Sequence, residues 1–126
     1  MLIKRKQDLI GTDRHVKTHA YETVRFLLDT DYETRNAAGV TLTDITLEPG
    51  IEETYGYEHH IEVAYCLEGH ATLTDLSDGS VHEIFPGTLW AATKHEKFKF
   101  VASVKTRLIC AFTPPFAGSE TGFAKE

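Results

Sequence analysis

The sequence predicts an all-β protein, a small barrel or sandwich in which residues 1–126 form one domain. A chain of 126 residues has the length of one ordinary domain. Several segments alternate apolar and polar residues and are rich in β-branched and aromatic side chains, as strands are. Turn signals built on glycine, proline, aspartate and serine separate these segments at close spacing. Together these features favour short strands that fold back on one another over helices.

Taken in order, the chain opens with a short helical pattern at residues 6–10, and a second weak one lies near residues 29–35. The strands predicted from alternation cover residues 40–47, 61–68, 98–102 and 107–112. Turn signals stand at residues 48–50, 68–69, 77–80, 86–87 and 114–115. From Ala117 onward the residues are small and polar, and this segment is expected to fray.

Composition limits the classes of partner. Lys and Arg number 13 against 19 Asp and Glu, a net charge of −6, which repels nucleic acid. No apolar run approaches the roughly 18 residues that a membrane-spanning helix needs, and no apolar stretch follows the charged N-terminus as it would in a signal peptide. The expected location is therefore the cytoplasm. Cys66 and Cys110 lie in apolar runs and are interpreted as buried free thiols, with a disulfide as the alternative.

The strongest local motif surrounds Glu62. Histidines stand just upstream, and six residues separate the glutamate from the turn residue Gly69. This is the layout of the first metal motif of a cupin, a small jelly-roll β-barrel whose strands project imidazole and carboxylate groups inward at one level. A Pro-Gly turn with His95 eight residues after Gly87 fits the second motif. The usual pair of histidines before the glutamate would fall on Thr54 and Gly56, which have no nitrogen ligand to offer.

Two readings of this motif remain open. His59 and His60 are adjacent, so they point to opposite sides of a strand and at most one lines a cavity; the alternative is that both are surface residues. Glu62 shares its strand face with Ala64 and Cys66, while the other face is wholly apolar. Alternation alone therefore places Glu62 in solvent, whereas the cupin motif places it in the cavity.

The sequence resembles the ectoine synthase family of cupins. The matching segments are residues 57–69, 78–79, 86–89, 94–95, 108–115 and 118–120. The start also fits, with an N-terminal strand at residues 8–12 followed by an aromatic residue and an arginine at Tyr21 and Arg25. The resemblance spans about the whole chain, with one short insertion near residues 30–38. It favours the position of Glu62 in the cavity, since both faces of a barrel strand can be enclosed.

The resemblance implies a reaction and a cofactor. In this family the amine of N-γ-acetyl-L-2,4-diaminobutyrate attacks its own acetyl carbonyl, and water leaves to give the cyclic amidine ectoine. Ferrous iron, Fe(2+), is held there by a Glu, a Tyr and a His. These positions fall on Glu62, Trp90 and Phe98. An indole and a phenyl ring are not metal ligands, so two of the three ligands are replaced, and His60 is the nearest other donor. Glu62 is then expected to lie in an apolar pocket with a raised pKa.

The resemblance also assigns residues to the substrate. Arg25 is expected to hold the substrate carboxylate, and Tyr57 to donate a hydrogen bond to the acetyl oxygen. Glu62 and Glu120 are candidates for metal binding or proton transfer. The residues expected to shape the pocket are Tyr21, Trp90, Phe98, Cys110 and Phe112. A family histidine two residues after the glutamate position of Glu120 falls on Gly122.

These observations predict an ectoine-synthase-like enzyme, a hydro-lyase acting on a small amino-acid-derived substrate. Two alternatives remain. The first is a metal-independent cupin isomerase or cyclase that uses Glu62 as acid and base on another substrate. The second is a non-catalytic cupin whose aromatic pocket only binds a small molecule. A homodimer is expected, as for many small cupins.

Overall fold

A computed structural model describes residues 2–33 and 39–123. It contains one short helix, α1 (Lys6–Leu9), and one 3₁₀ turn, Asp29–Glu33. The first five strands are β1 (His15–Lys17), β2 (Tyr21–Arg25), β3 (Thr41–Leu47), β4 (Glu52–Gly56) and β5 (Ile61–Glu68). The other five are β6 (Ala71–Asp75), β7 (Val81–Ile84), β8 (Leu89–Ala92), β9 (Lys97–Ala102) and β10 (Thr106–Thr113). The predicted all-β class is confirmed.

The strands form two antiparallel sheets. The first has the order β1-β2-β3-β10-β5-β8, and the second has the order β4-β9-β6-β7. Neighbours in each sheet are mostly distant in sequence, because the chain crosses repeatedly between the sheets. The last strand, β10, lies at the centre of the first sheet between β3 and β5. The long-range pairings of β10 therefore bring residues from both halves of the chain to one wall.

Most sequence-predicted elements are confirmed, and two are not. Strands β3, β5, β9 and β10 begin and end within one residue of the predicted bounds. The strand expected at residues 8–12 is wrong: α1 occupies its first half, and Gly11 has a φ of 82°, which interrupts any regular extension. The helical pattern near residues 29–35 forms only the 3₁₀ turn, and residues 34–38, where most of the expected insertion lies, fall outside the described residues.

The core lies between the sheets, and aromatic residues make up a third of it. Phe98, Phe100 and Phe112 are buried there together with Tyr21 and Tyr55. Both cysteines are buried and free, so the interpretation as free thiols is confirmed. No helix in the two described ranges is long and apolar enough to cross a bilayer.

The face of strand β5 that carries Glu62 points inward. Glu62 is only 6% exposed, and Ala64 and Cys66 are fully buried beside it, whereas Tyr65 on the opposite face is 44% exposed. The prediction from alternation that Glu62 faces solvent is therefore wrong, and the position implied by the family resemblance is correct. The physical reason is that the inner face of this sheet lines a cavity, while the outer apolar face is left uncovered in the single chain.

Candidate active site

A small cavity lies between the sheets. Its volume is about 50 Å³, and eight of its seventeen lining residues are aromatic. Eight of the sequence-predicted site residues line it: Tyr21, Arg25, Tyr57, Glu62, Trp90, Phe98, Cys110 and Phe112. The side chains come from β2, β5, β8, β9 and β10 and from the turn after β4. The fold thus brings together residues that are up to about 90 positions apart in sequence, as a binding site requires.

Glu62 is the buried carboxyl group of this cavity. It stands opposite Phe112 of β10 on one side and opposite Ala92 of β8 on the other. Burial raises the pKa of Glu62 to about 7, and the indole N–H of Trp90 opposes this rise. The raised pKa agrees with the expectation from the sequence. A carboxyl group that titrates near neutral pH can both give and accept a proton, which suits general acid–base chemistry.

Tyr57 and Cys110 face the same part of the cavity. Burial raises the pKa of the Tyr57 hydroxyl well above its ordinary value, and the Glu62 charge adds to this rise. Burial raises the pKa of the Cys110 thiol in the same way. Both groups therefore keep their protons at neutral pH. They are hydrogen-bond donors in this cavity rather than anionic ligands or nucleophiles.

Trp90 and Phe98 form one side of the wall. Their ring centroids are 6.3 Å apart in an edge-to-face arrangement, and the indole also lies 5.7 Å from the ring of Phe100. The indole Nε1 is buried, and no residue in the described part of the chain accepts a hydrogen bond of normal geometry from it. Packing on two rings fixes the indole plane, so this donor stays pointed at the cavity side of β8.

Arg25 lies on β2, in the same sheet as Glu62 and Trp90, and is buried with an exposure of 3%. Its Nη1 donates to the carbonyl of Gly118 at 2.9 Å, and its Nη2 donates to the carbonyl of Glu120. The guanidinium lies 5.1 Å from the ring centroid of Phe116. Its Nε has no hydrogen-bond partner within residues 2–33 and 39–123. The arginine is thus held by the chain itself and keeps one buried donor for a ligand.

The segment that holds Arg25 closes the cavity. We call residues 116–123 the closing segment. Its Thr121 carbonyl accepts a hydrogen bond from the Tyr21 hydroxyl, and its Gly122 carbonyl accepts one from the Gly56 amide at 3.0 Å. The expectation that the chain frays from Ala117 is therefore wrong as far as Phe123, because residues that line the cavity fix this segment; residues 124–126 lie outside the described part.

Glu120 and His60 are not brought into the inner cavity. Glu120 accepts hydrogen bonds from the amides of Ala117 and Gly118, which hold the pKa of its carboxyl below its ordinary value against the opposing effect of burial. His60 Nε2 lies 3.4 Å from this carboxylate, and His60 Nδ1 lies 2.7 Å from the carbonyl oxygen of Pro114. Both residues line an outer depression that shares Tyr57 and Thr121 with the cavity.

Comparison with known proteins identifies the family of this chain. The family model for ectoine synthase matches residues 1–125. This chain belongs to the ectoine synthase family. The L-ectoine synthase of Oceanobacillus iheyensis is 32% identical over 96% of this chain and 91% of its own length, and that of Desulfatibacillum aliphaticivorans is 35% identical over 95% and 90%.

Solved structures agree with the family membership. The crystal structure of ectoine synthase from P. lautus superposes with a TM-score of 0.85 at 30% identity, covering 95% of this chain and 83% of that one. KdgF from Halomonas sp. shares the fold at 14% identity with a TM-score of 0.64, covering 79% of this chain and 86% of that one. The predicted cupin fold is thereby confirmed.

The residues of this family member do not fit the three-ligand iron site that the family resemblance implies. Two ligand positions carry Trp90 and Phe98, whose rings pack on each other and offer no lone pair to a metal. Within residues 2–33 and 39–123, no group of three His, Cys, Asp or Glu side chains is placed to hold a metal ion. His60 does not compensate, since its two ring nitrogens face Pro114 and Glu120.

Nine further residues line the cavity that sequence reasoning did not assign to the site, among them Tyr55, Phe116 and Thr121. Tyr55 lies in β4, where the sequence shows no alternation strong enough to predict a strand. Phe116 and Thr121 stand in the segment expected to fray. The bridge between Tyr55 and Phe123 holds this segment against β4 at the cavity. No local feature of the sequence predicts such a long-range pairing.

Proposed function

We propose that this protein catalyses the cyclodehydration of N-γ-acetyl-L-2,4-diaminobutyrate to ectoine, or a closely related ring closure on a small amino-acid-derived substrate. It is then a hydro-lyase. The names of its relatives support this reaction. The observation that carries it is the burial of Glu62 in a cavity that it shares with Arg25 and with the neutral donors Tyr57 and Cys110.

The reaction requires the protein to transfer protons and to hold the amine and the acyl carbonyl of one substrate molecule together. The amine nitrogen attacks the acyl carbon, a C–N bond forms, and the carbonyl electron pair moves to the oxygen. Both amine hydrogens finally leave with that oxygen as water, and a C=N bond remains. Glu62 titrates near neutral pH, so it can give a proton to the oxygen and take one from the nitrogen. The enclosing wall holds amine and carbonyl in contact.

Arg25 supplies the charge that a substrate carboxylate needs. A bidentate guanidinium is the usual partner of a carboxylate, and here two of its donors are held by Gly118 and Glu120 carbonyls. The cavity of about 50 Å³ is far below the roughly 300–1,000 Å³ of typical ligand sites. Substrate binding therefore requires the cavity to widen. Withdrawal of the closing segment would widen it and let the carboxylate replace the segment's carbonyls on Arg25.

The test is turnover of N-γ-acetyl-L-2,4-diaminobutyrate, followed by ¹H NMR for appearance of the cyclic amidine. Wild-type protein is expected to form it, and Glu62→Gln is expected to lose at least about 10²-fold in kcat, the scale of general acid–base catalysis. Glu68→Gln is the matched control, because Glu68 ends the same strand and is exposed. No product from the wild type, with and without added ferrous iron, would overturn the proposal.

Trp90 and Phe98 replace two of the family's metal ligands. This replacement favours a second candidate function, that of a metal-independent cyclase or isomerase acting on a different small substrate. In that case the same assay gives no ectoine, while other N-acylated diamino acids turn over in a Glu62-dependent way. A protein that binds these compounds with no turnover at all would instead be the non-catalytic binding cupin.

We also propose that two copies pair in the cytoplasm through the outer face of the first sheet. Leu42, Val63, Tyr65, Leu67 and Leu89 expose between 38% and 60% of their area there. Burying such a face against its own copy is the usual way to remove it from water. Two free thiols suit a reducing compartment. Sedimentation should give a dimer for the wild type and a monomer for Val63→Glu; a wild-type monomer at high concentration would contradict the pairing.

A further inference from the structure

The cavity keeps two buried hydrogen-bond donors without an acceptor among the described residues, Trp90 Nε1 and Arg25 Nε. Both belong to residues of the cavity wall. Buried donors are nearly always satisfied in folded proteins, by the chain, by water or by a ligand. One ligand that carries two acceptor groups would satisfy both donors of this cavity.

The backbone places the indole beside the buried carboxyl. Trp90 of β8 pairs with Ala64 of β5, and Ala92 pairs with Glu62, so Trp90 and Glu62 lie on neighbouring strands one inward position apart. The effect of the indole N–H on the Glu62 carboxyl means that this donor faces the carboxyl group. Because no hydrogen bond of normal geometry joins them, an acceptor atom of a ligand can lie against the indole nitrogen.

The presence of phenylalanine at position 98, where the family has a histidine ligand, supports this arrangement. The Phe98 ring packs edge-to-face on the indole, and Phe100 packs on it at a tilt. An imidazole at position 98 would bring a polar, titratable ring into that contact, whereas phenyl braces the indole without competing for its N–H. The aromatic pair Trp90–Phe98 therefore acts as one unit: one ring donates and the other fixes its orientation.

We propose that the indole N–H of Trp90 donates a hydrogen bond to the acyl oxygen of the bound ligand, and so stands in for the missing metal as the group that polarises the carbonyl. The inference rests on the proposed function. The indole keeps its proton throughout; it stabilises the charge that collects on the oxygen when the carbonyl electron pair moves there. At the other end, the Arg25 guanidinium meets the ligand carboxylate. The ligand class is thus an N-acyl amino acid.

The direct test uses Trp90 as its own reporter, because it is the single tryptophan of the chain. In chelator-treated, ¹⁵N-labelled protein there is one indole N–H signal to follow. The probes are N-γ-acetyl-L-2,4-diaminobutyrate and 4-acetamidobutyrate, which keeps the carboxylate and the acyl oxygen and lacks the attacking amine. Saturation with either is expected to move the indole signal downfield and to slow its exchange with water. Binding that leaves this signal unmoved would overturn the inference.

Kinetics separate the inference from the proposed function. In chelator-treated protein Trp90→Phe should lower kcat by about 10²-fold, the usual effect of removing one such donor, with KM changed much less. Phe85→Leu is the control and should match the wild type, because Phe85 is exposed and lies outside both the cavity wall and the proposed pairing face. Turnover that is abolished by chelator and restored by iron overturns the inference and leaves the function intact. An indole shift with no ring closure overturns the function alone, and failure of both probes to bind overturns both.

Discussion

Glu62 on β5 lies directly opposite Phe112 on β10 in the central strand pair of the first sheet. Both side chains point into the cavity, where they are 6% and 4% exposed. The phenyl ring therefore takes the place of water beside the carboxyl group. The pairing of Glu62 with Phe112 explains why Glu62 is partly neutral at physiological pH and why the wall beside the reacting group is apolar.

Replacing Glu62 by Gln should stabilise the protein in a pH-dependent way. The folded pKa of Glu62 is about 7 against an ordinary value of 4.5. Below pH 4.5 both states hold the proton and no penalty exists; as pH rises from 4.5 to about 7 the unfolded state ionises first, and stability falls. Glu62→Gln should therefore gain about 3 kcal/mol in free energy of unfolding at pH 8 and almost nothing at pH 4. Urea denaturation at both pH values measures the difference.

Arg25→Lys should weaken substrate binding and loosen the closing segment together. Lysine keeps the charge and loses the fork that contacts the Gly118 and Glu120 carbonyls. KM should rise by at least about 10-fold, which corresponds to about 1.4 kcal/mol. Amide exchange at residues 118–122 should speed up while exchange in β10 stays slow. If KM rises and the segment remains protected, Arg25 binds substrate without holding the segment closed.

Gly69→Ala should be strongly destabilising. Gly69 has a φ of 103°, and an added Cβ would lie 2.4 Å from Thr106 Oγ1 and 2.6 Å from Thr106 Cα. The loss is expected to exceed about 3 kcal/mol, because backbone strain of about 1–3 kcal/mol adds to the clash. Gly79→Ala is the control, since it has a φ of 77° with nothing within 4 Å and carries the strain alone. Equal losses for the two variants would mean that the contact with Thr106 relaxes without cost.

The double variant Trp90→Tyr, Phe98→His should gain a metal site. It supplies a phenol and an imidazole to the cavity that holds Glu62, completing a three-ligand set. Stoichiometric binding of ferrous iron is expected for the double variant, and neither single variant should bind it as tightly. If the double variant takes up no iron, the divergence from the family extends beyond these two side chains.

The fold was predictable where the pattern was local and long. The alternation in β5 and β10 sets their bounds to within a residue, and the Glu62-to-Gly69 spacing identifies the barrel. The strand expected at residues 8–12 failed because four residues of helix and a positive φ at Gly11 override a weak extended pattern.

The site was only partly predictable. Family positions gave eight wall residues, yet alternation alone misplaced Glu62, because it assumes that the apolar face of a strand is the buried one. In this chain the apolar face of β5 is exposed and the mixed face lines the cavity. The closing segment could not be foreseen either, since small polar residues carry no sign of the hydrogen bonds they receive from Arg25 and Tyr21.

The titration of the Glu62 side chain tests the central claim most directly. In ¹³C-labelled protein its carboxyl resonance can be assigned as the one that disappears in Glu62→Gln, and its chemical shift can then be followed with pH. The enclosed position predicts a pKa of about 7. A value near the ordinary 4.5 of a solvated glutamate would contradict the account, because it would place the carboxyl group in water instead of in a closed aromatic cavity.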